Sequence, residues 1–167
     1  MTVQEILLLG NPQLYELSEE VHESEVDSIR QTIDDLHDTM MNFRNIYGAG
    51  RAIAAPQIGT RKRIIYMNID EPVVFVNPIL KNLSDEMIEV WDDCMCFPDL
   101  LVKVQRHRSC TIEFRDENWE QQSMDLKDDL SELLQHEYDH LEGILAVSRA
   151  INGQAFSLQS QKHLLYE

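Results

Sequence analysis

The stretch HEYDHLEG, residues 136–143, decides how this chain is interpreted, because it contains the pattern HExxH. Four residues advance an α-helix by slightly more than one turn, so the side chains of His136 and His140 project from one face. Two imidazoles placed in this way can bind one metal ion, and Glu137 can reach a water molecule on that ion. The motif therefore predicts a metal-dependent hydrolase whose active-site helix carries both ligands.

A catalytic metal site of this kind needs a third protein ligand. Downstream of the motif, His163 and Glu167 are candidates, but both lie in a weakly patterned tail. Upstream, WDDCMCFP (residues 91–98) offers Cys94, whose thiolate together with two imidazoles leaves one tetrahedral position open for water. Geometry alone does not separate Cys94 from Cys96, because residues two apart in an extended strand face the same side.

Composition and charge narrow the class of protein. A chain of 167 residues is expected to form one domain over residues 1–167. The 14 basic and 30 acidic residues give a net charge of -16, which disfavours direct nucleic-acid binding. Three cysteines argue against a disulfide framework, and no apolar run is long enough for a membrane span or a secretory signal. We expect a cytoplasmic protein with no membrane partner.

The apolar periodicity predicts an α+β fold. Residues 25–43 have the pattern of an amphipathic helix, and residues 128–142 form a second helix that ends at Gly143. Residues 48–59 are a glycine-rich loop or strand entry. Short strands are predicted at residues 61–69, 72–80, 86–91, 100–104 and 109–116. We expect antiparallel or mixed strands around a central helix that carries HEYDH.

Three motifs in order along the chain resemble the signature motifs of the peptide deformylases. They are GRAIAAPQIG (residues 50–59), DCMCFP (residues 93–98) and HEYDHLEG. The stretch ILLLGNPQLYELSEEV, residues 6–21, also resembles the start of that family. In the family, the metal-binding cysteine is followed by a hydrophobic residue and then usually by serine. The resemblance therefore assigns Cys94 as the ligand and Cys96 to the serine position.

This resemblance implies a peptide-deformylase-like fold and a single divalent ion held by Cys94, His136 and His140. Fe²⁺ is the expected ion, with Zn²⁺, Ni²⁺ or Co²⁺ as substitutes in purified protein. The implied reaction removes the formyl group from an N-terminal formyl-methionine, so the partner is an N-formylated peptide or nascent chain. An iron–thiolate site also implies oxidative inactivation.

The resemblance further implies roles for three residues that are not ligands. Glu137 takes the proton of the attacking water and hands it to the leaving amine. The side-chain amide of Gln57 and the backbone N–H of Met95 stabilise the oxyanion that develops on the formyl group. Asp139 is interpreted as a residue that orients a ligand, as a partner of Arg106, or as a plain exposed carboxylate.

The chain departs from the family pattern around the substrate. Asp93 and Ala52 stand where the family normally has glycine, and Arg51 stands where it usually has an apolar residue. On the helix, Asp129 and Glu132 continue the stripe of His136, where the family is mostly apolar and forms the methionine pocket. The predicted substrate-binding residues are Arg51, Ala52, Ile53, Asp93, Asp129, Glu132 and Leu133.

These departures predict a preference for a more polar first side chain than methionine, because unpaired charges are costly to bury. The alternative is that Arg51 pairs with Asp129 or Glu132, or that these groups are solvated. Two other functions stay open, a related amidase for a small N-formyl or N-acyl substrate and a metal-holding binding protein with little turnover. Residues 144–167 contain Arg149 and Lys162 as their only arginine and lysine, which disfavours ribosome docking through a basic C-terminal helix.

Overall fold

The computed structural model describes residues 2–166, and its elements confirm the α+β order. Helix α1 spans Ile29–Tyr47 and helix α2 spans Asp129–Leu141. The strands are β1 Ala52–Ala54, β2 Ile64–Asn68, β3 Pro72–Lys81, β4 Met87–Asp92, β5 Leu100–His107, β6 Ser109–Arg115, β7 Gln121–Lys127 and β8 Phe156–Leu158. Short 3-10 segments lie at Pro12–Tyr15, Glu23–Glu25, Ala55–Ile58, Ala146–Arg149 and Gln159–Leu164.

The strands form two antiparallel sheets, and α2 packs against both. The larger sheet has the order β1-β2-β3-β6-β7, and the smaller has the order β4-β5-β8. Helix α2 contacts β1 and β7 of the larger sheet and β5 of the smaller one. Its Leu134 and Leu141 are fully buried among residues of the larger sheet, including Phe75 and Ile112. This confirms the predicted arrangement of strands around the helix that carries HEYDH.

The ends of α2 are fixed by backbone conformation. Asp128 has a φ of 51°, so the chain turns out of β7 before the helix begins at Asp129. After the helix, Gly143 has a φ of 71°, and a Cβ atom there would lie 2.5 Å from the carbonyl oxygen of Tyr15. Only glycine fits at such a position. The predicted helix over residues 128–142 is therefore correct to within one residue at each end.

Helix α1 lies later in the chain than the predicted span of residues 25–43. It spans Ile29–Tyr47, and near its end the Arg44 guanidinium donates to the carbonyl oxygens of Gly50 and Asn68. Gly48, with a φ of 69°, then ends the helix in the left-handed region. These contacts hold the loop that follows α1 beside the first residues of β1.

Two strands were not expected from the sequence. β7 is mostly exposed and polar, and it is a strand because every one of its residues pairs with β6. β8 pairs with β5 over three positions. Long-range pairing of this kind leaves little trace in local periodicity. Among residues 2–166, no helix has both the length and the apolar character that crossing a bilayer requires.

Candidate metal centre and active site

Three side chains that the sequence singled out as ligands come together between α2 and the segment after β4. The ligand atoms of Cys94, His136 and His140 all lie within 4.8 Å of one another, and all three residues are buried. The Cys94 Sγ is 3.3 Å from the His140 Nε2. The downstream candidate His163 lies in the segment Gln159–Leu164 and is not part of this group. Glu167 lies outside the described residues.

His136 is held in one orientation by Asp92, the last residue of β4. The His136 Nδ1 lies 2.8 Å from the Asp92 Oδ2, so Nδ1 donates to the carboxylate and Nε2 is left with its lone pair for a metal. Burial alone lowers the pKa of His136, but the Asp92 carboxylate outweighs this effect and raises it to about 9. Asp92 therefore makes the His136 imidazole more basic, which would strengthen Nε2 as a metal ligand.

Asp92 is not among the residues predicted from the sequence, although a signal was present. Residues 92 and 94 are two apart, so in an extended segment their side chains face the same side. Burial alone raises the pKa of the Asp92 carboxyl, but the positive charges of His136 and Arg106 and their hydrogen bonds lower it to about 2. A carboxylate in WDDC thus belongs to the metal centre as the partner of a ligand.

A chain of ion pairs continues from Asp92 to the surface. Arg106 on β5 donates to the Asp92 Oδ2 over 2.9 Å and to the Asp139 Oδ2 over 2.5 Å, and its side chain is only 2% exposed. Arg149 donates to both carboxylate oxygens of Asp139 over 2.6 Å and 2.9 Å. The interpretation that Asp139 pairs with Arg106 is therefore confirmed, and Arg149 is a partner that the sequence did not reveal.

Cys94, the candidate sulfur ligand, lies beside the sulfur of Cys96 and the side-chain amide of Gln57. Gln57 is buried, and its Nε2 is 3.7 Å from the Cys94 Sγ and 3.5 Å from the Cys96 Sγ. The backbone N–H of Ala54 donates to the Gln57 Oε1 over 2.8 Å, which fixes the direction of the amide. Burial raises the pKa of the Cys94 thiol well above its ordinary value. A nearby cation is what would make this sulfur a thiolate.

Glu137 and His140 each present a buried polar atom without a protein hydrogen-bond partner among residues 2–166. These atoms are the Glu137 Oε2 and the His140 Nδ1. Burial raises the pKa of Glu137 to about 7 and lowers the pKa of His140 well below its ordinary value. One sulfur and two imidazole nitrogens, with an unpartnered carboxylate oxygen beside them, fit a divalent transition metal such as Fe²⁺ or Zn²⁺.

A cavity of about 720 Å³ opens onto this group and contains most of the predicted substrate-binding residues. Five of the seven line it: Arg51, Ala52, Asp93, Glu132 and Leu133. The proposed catalytic residues Gln57, Met95 and Glu137 also line it. The sequence did not indicate that the C-terminal residues Gln159 and Lys162 reach the same cavity, because no motif marks them.

Two predicted substrate-binding residues lie elsewhere within the described chain. The Ile53 side chain is fully buried in the core between α1 and β2, because the short strand β1 alternates its faces and Ala52 takes the cavity side. Asp129 is exposed at the first residue of α2, beyond the end of the cavity wall. Neither side chain is among the lining residues, so the predicted contacts of these two with substrate are not supported.

Arg51 and Glu132 form an ion pair inside the cavity. The Arg51 Nη2 donates to the Glu132 Oε1 over 3.0 Å, with the carboxylate side chain 12% exposed and the guanidinium side chain 43% exposed. Burial raises the pKa of Glu132 and outweighs the opposing effect of Arg51. The alternative in which Arg51 pairs with Glu132 is therefore confirmed, and the carboxylate lies deeper than its partner.

This fold, with a buried Cys-His-His group and a glutamate beside it, defines a metal-dependent hydrolase. The family model described as polypeptide deformylase matches residues 3–155. A peptide deformylase of Pelagibacter ubique is 38% identical over 154 residues, covering 88% of this chain and 86% of the relative. One of Rhizobium meliloti is 31% identical over 153 residues, covering 88% and 84%.

Solved structures agree with this assignment. The class I type b peptide deformylase of Acinetobacter baumannii has a TM-score of 0.82 at 30% identity, covering 89% of this chain and 100% of that one. The enzyme of Thermotoga maritima has a TM-score of 0.83 at 25% identity, covering 91% and 100%. The chain belongs to the polypeptide deformylase family. Its activity is the metal-dependent removal of the N-formyl group from nascent peptides.

Proposed function

We propose that Cys94, His136 and His140 hold one divalent ion and that Glu137, Gln57 and Met95 act on the formyl group beside it. The observation that carries this assignment is the convergence of the three ligand atoms within 4.8 Å, next to a buried glutamate. When bound, the ion supplies Lewis acidity, which lowers the pKa of water and polarises a carbonyl.

Glu137 moves the proton in this proposal. Its carboxylate follows His136 on α2, lines the cavity and has one oxygen without a protein partner among the described residues. Burial raises its pKa to about 7, so at neutral pH the carboxyl group can both accept and release a proton. Glu137 takes the proton from the attacking water and delivers it to the nitrogen that leaves as the free amine.

Gln57 and Met95 stabilise the negative charge on the formyl oxygen. The Ala54 N–H binds the Gln57 Oε1, so the amide nitrogen turns towards the sulfur of Cys94 and can donate there without reorganising. Met95 directly follows Cys94, and its backbone N–H is the second donor. Both residues line the cavity, which supports their placement beside the reacting group.

We propose Fe²⁺ as the native ion, with Zn²⁺, Ni²⁺ or Co²⁺ as substitutes that purified protein accepts. One thiolate and two imidazoles can bind any of these four ions. The kinds of ligand are therefore consistent with Fe²⁺ and equally with the other three ions. The sulfur of Cys94 makes an iron-loaded enzyme sensitive to peroxide. Activity that is highest with anaerobically loaded Fe²⁺ and lost on exposure to air supports iron. Equal activity and air stability with Zn²⁺ contradict it.

We also propose that residues 1–167 act as one cytoplasmic domain and that the segment Gln159–Leu164 does not bind the ribosome. Both sheets pack against the single helix α2, which supports one folding unit. Towards the C-terminus, the described chain consists of β8 and the 3-10 segment Gln159–Leu164, in which Lys162 is the only lysine. We expect no co-sedimentation with ribosomes at low salt, and salt-sensitive binding contradicts this proposal.

A formate-release assay tests the catalytic assignment. Protein loaded with Fe²⁺ or Co²⁺ under reducing, anaerobic conditions is given formyl-Met-Ala, beside the variants Cys94→Ser and Cys110→Ser. Cys110 is buried against Ser131 in the core and serves as the matched control. We expect loss of metal and activity in Cys94→Ser alone. Metal retention without formate release favours a binding protein, and release only from other N-acyl substrates favours a related amidase.

A further inference from the structure

Arg51 and Glu132 are two of several charged side chains that line the cavity, and they pair with each other. Glu132 precedes His136 by four residues on α2, so the two side chains lie on the same face, about 6 Å apart along the helix axis. Both line the same cavity, together with the apolar Leu133 and Met95. A carboxylate in this place is within reach of whatever side chain follows the formyl group.

The length of a substrate side chain can be compared with the spacing of about 6 Å between Glu132 and His136 along the helix axis. The first Cα of an N-formyl peptide is two bonds from the formyl carbon, and an extended lysine side chain places its Nζ roughly 6 Å from that Cα. With the formyl group beside His136 and Glu137, a side chain directed along α2 therefore reaches the Glu132 carboxylate. Norleucine has the same length but carries no donor.

The ion pair is arranged so that a group on the substrate can replace Arg51 as the partner of Glu132. Glu132 is 12% exposed and accepts a single hydrogen bond from Arg51, whereas Arg51 is 43% exposed at the mouth of the cavity. The buried member needs a partner, because an unpaired carboxylate in such a place is costly. The exposed member does not, because water solvates a guanidinium that swings outward.

We propose that Glu132 selects N-formyl peptides whose first side chain carries a cation or another hydrogen-bond donor, with Arg51 taking that place when the substrate offers none. The substrate class is thus wider than formyl-methionine and includes first residues such as lysine, arginine and glutamine. This selectivity rests on the proposed function, since it places the formyl group beside His136 and Glu137.

Formate release from formyl-Lys-Ala and formyl-norleucine-Ala tests the proposal, because the two peptides differ at the end of one side chain. We expect the ratio of their kcat/KM values to favour lysine in the wild type. In Glu132→Gln, which keeps the shape but removes the charge, the ratio should fall at least tenfold. In Arg51→Ala, which removes the competing guanidinium, it should rise several-fold. Glu89→Gln, a surface position on β4 that does not line the cavity, is the control and leaves the ratio unchanged.

The proposal is overturned by a wild-type enzyme that prefers norleucine, or by a Glu132→Gln ratio within twofold of the wild type. Circular dichroism of each variant shows whether it is folded, and the wild-type comparison stands even if a variant is not. A different result would be that metal-replete protein releases formate from none of the three peptides, formyl-Lys-Ala, formyl-norleucine-Ala and formyl-Met-Ala. That result contradicts the proposed function itself. Turnover with an unchanged ratio of the kcat/KM values contradicts only the proposed selectivity.

Discussion

Replacing Asp92 by alanine tests how far the proposed metal centre depends on a residue that is not among its three candidate ligands. A single oxygen, the Asp92 Oδ2, accepts from both His136 and Arg106, at 2.8 Å and 2.9 Å. Both partners are buried, so the variant leaves an imidazole N–H and part of a guanidinium without an acceptor. Breaking a buried ion pair in this way costs about 3–5 kcal/mol in the free energy of unfolding.

The same substitution is expected to weaken metal binding through His136. Loss of the carboxylate that orients a metal-binding histidine lowers metal affinity about 10–100-fold. Asp92→Asn is expected to be milder, because the amide oxygen can still accept from both His136 and Arg106 while the charge is lost. Glu89→Gln is the matched control, since Glu89 lies on the same strand and pairs with Lys103 at the surface. An exposed pair of this kind contributes at most about 1 kcal/mol.

Two measurements check these expectations. Competition with a chelator gives the dissociation constant for Zn²⁺ or Co²⁺, and urea unfolding gives the stability of each variant. We expect the order wild type, Asp92→Asn, Asp92→Ala in both, with Glu89→Gln close to the wild type. If Asp92→Ala binds the ion within twofold of the wild type and unfolds within about 1 kcal/mol of it, the coupling between Asp92 and the metal centre is refuted.

Three further changes have defined outcomes. Glu137→Gln should lower kcat for formate release by about 10²–10⁴-fold while metal affinity stays within a few-fold, and near-normal turnover would contradict the proton-transfer role. Arg149→Ala removes two hydrogen bonds to Asp139 from a half-exposed side chain, so urea unfolding should show a loss of about 1 kcal/mol; a loss above about 3 kcal/mol is inconsistent with that exposure. Removing the ion with a chelator should lower the Tm, and added Zn²⁺ should restore it in the wild type but not in Cys94→Ser.

The three residues that could hold a metal could be picked out from the sequence because their geometry is local or carried by a motif. The spacing of His136 and His140 fixes them on one face of a helix before any tertiary structure is known. Cys94 needed more, since spacing did not separate it from Cys96 and only the resemblance did. Five strands were predicted near their observed positions, but β7 was missed because its polar sequence becomes a strand only by pairing with β6.

The hydrogen bonds and ion pairs that surround these three residues were harder to predict from the sequence. Arg106 reaches both Asp92 and Asp139 because the register of β4 with β5 and the packing of α2 bring three distant segments together. Asp129 is a predicted substrate contact that the structure does not place in the cavity wall. Its angle around the helix matches that of His136, but as the first residue of α2 it lies beyond the cavity. Helical angle predicts the face of a residue and not how far along the axis the pocket extends.

X-ray absorption spectroscopy of the metal-loaded protein tests the central claim most directly. If Cys94, His136 and His140 bind one ion, Zn²⁺-loaded protein should show one sulfur neighbour at about 2.3 Å and nitrogen neighbours at about 2.0–2.1 Å. The sulfur signal should disappear in Cys94→Ser and remain in Cys96→Ser. A spectrum without a sulfur neighbour, or a sulfur signal that depends on Cys96 instead, would contradict the assignment of the metal centre.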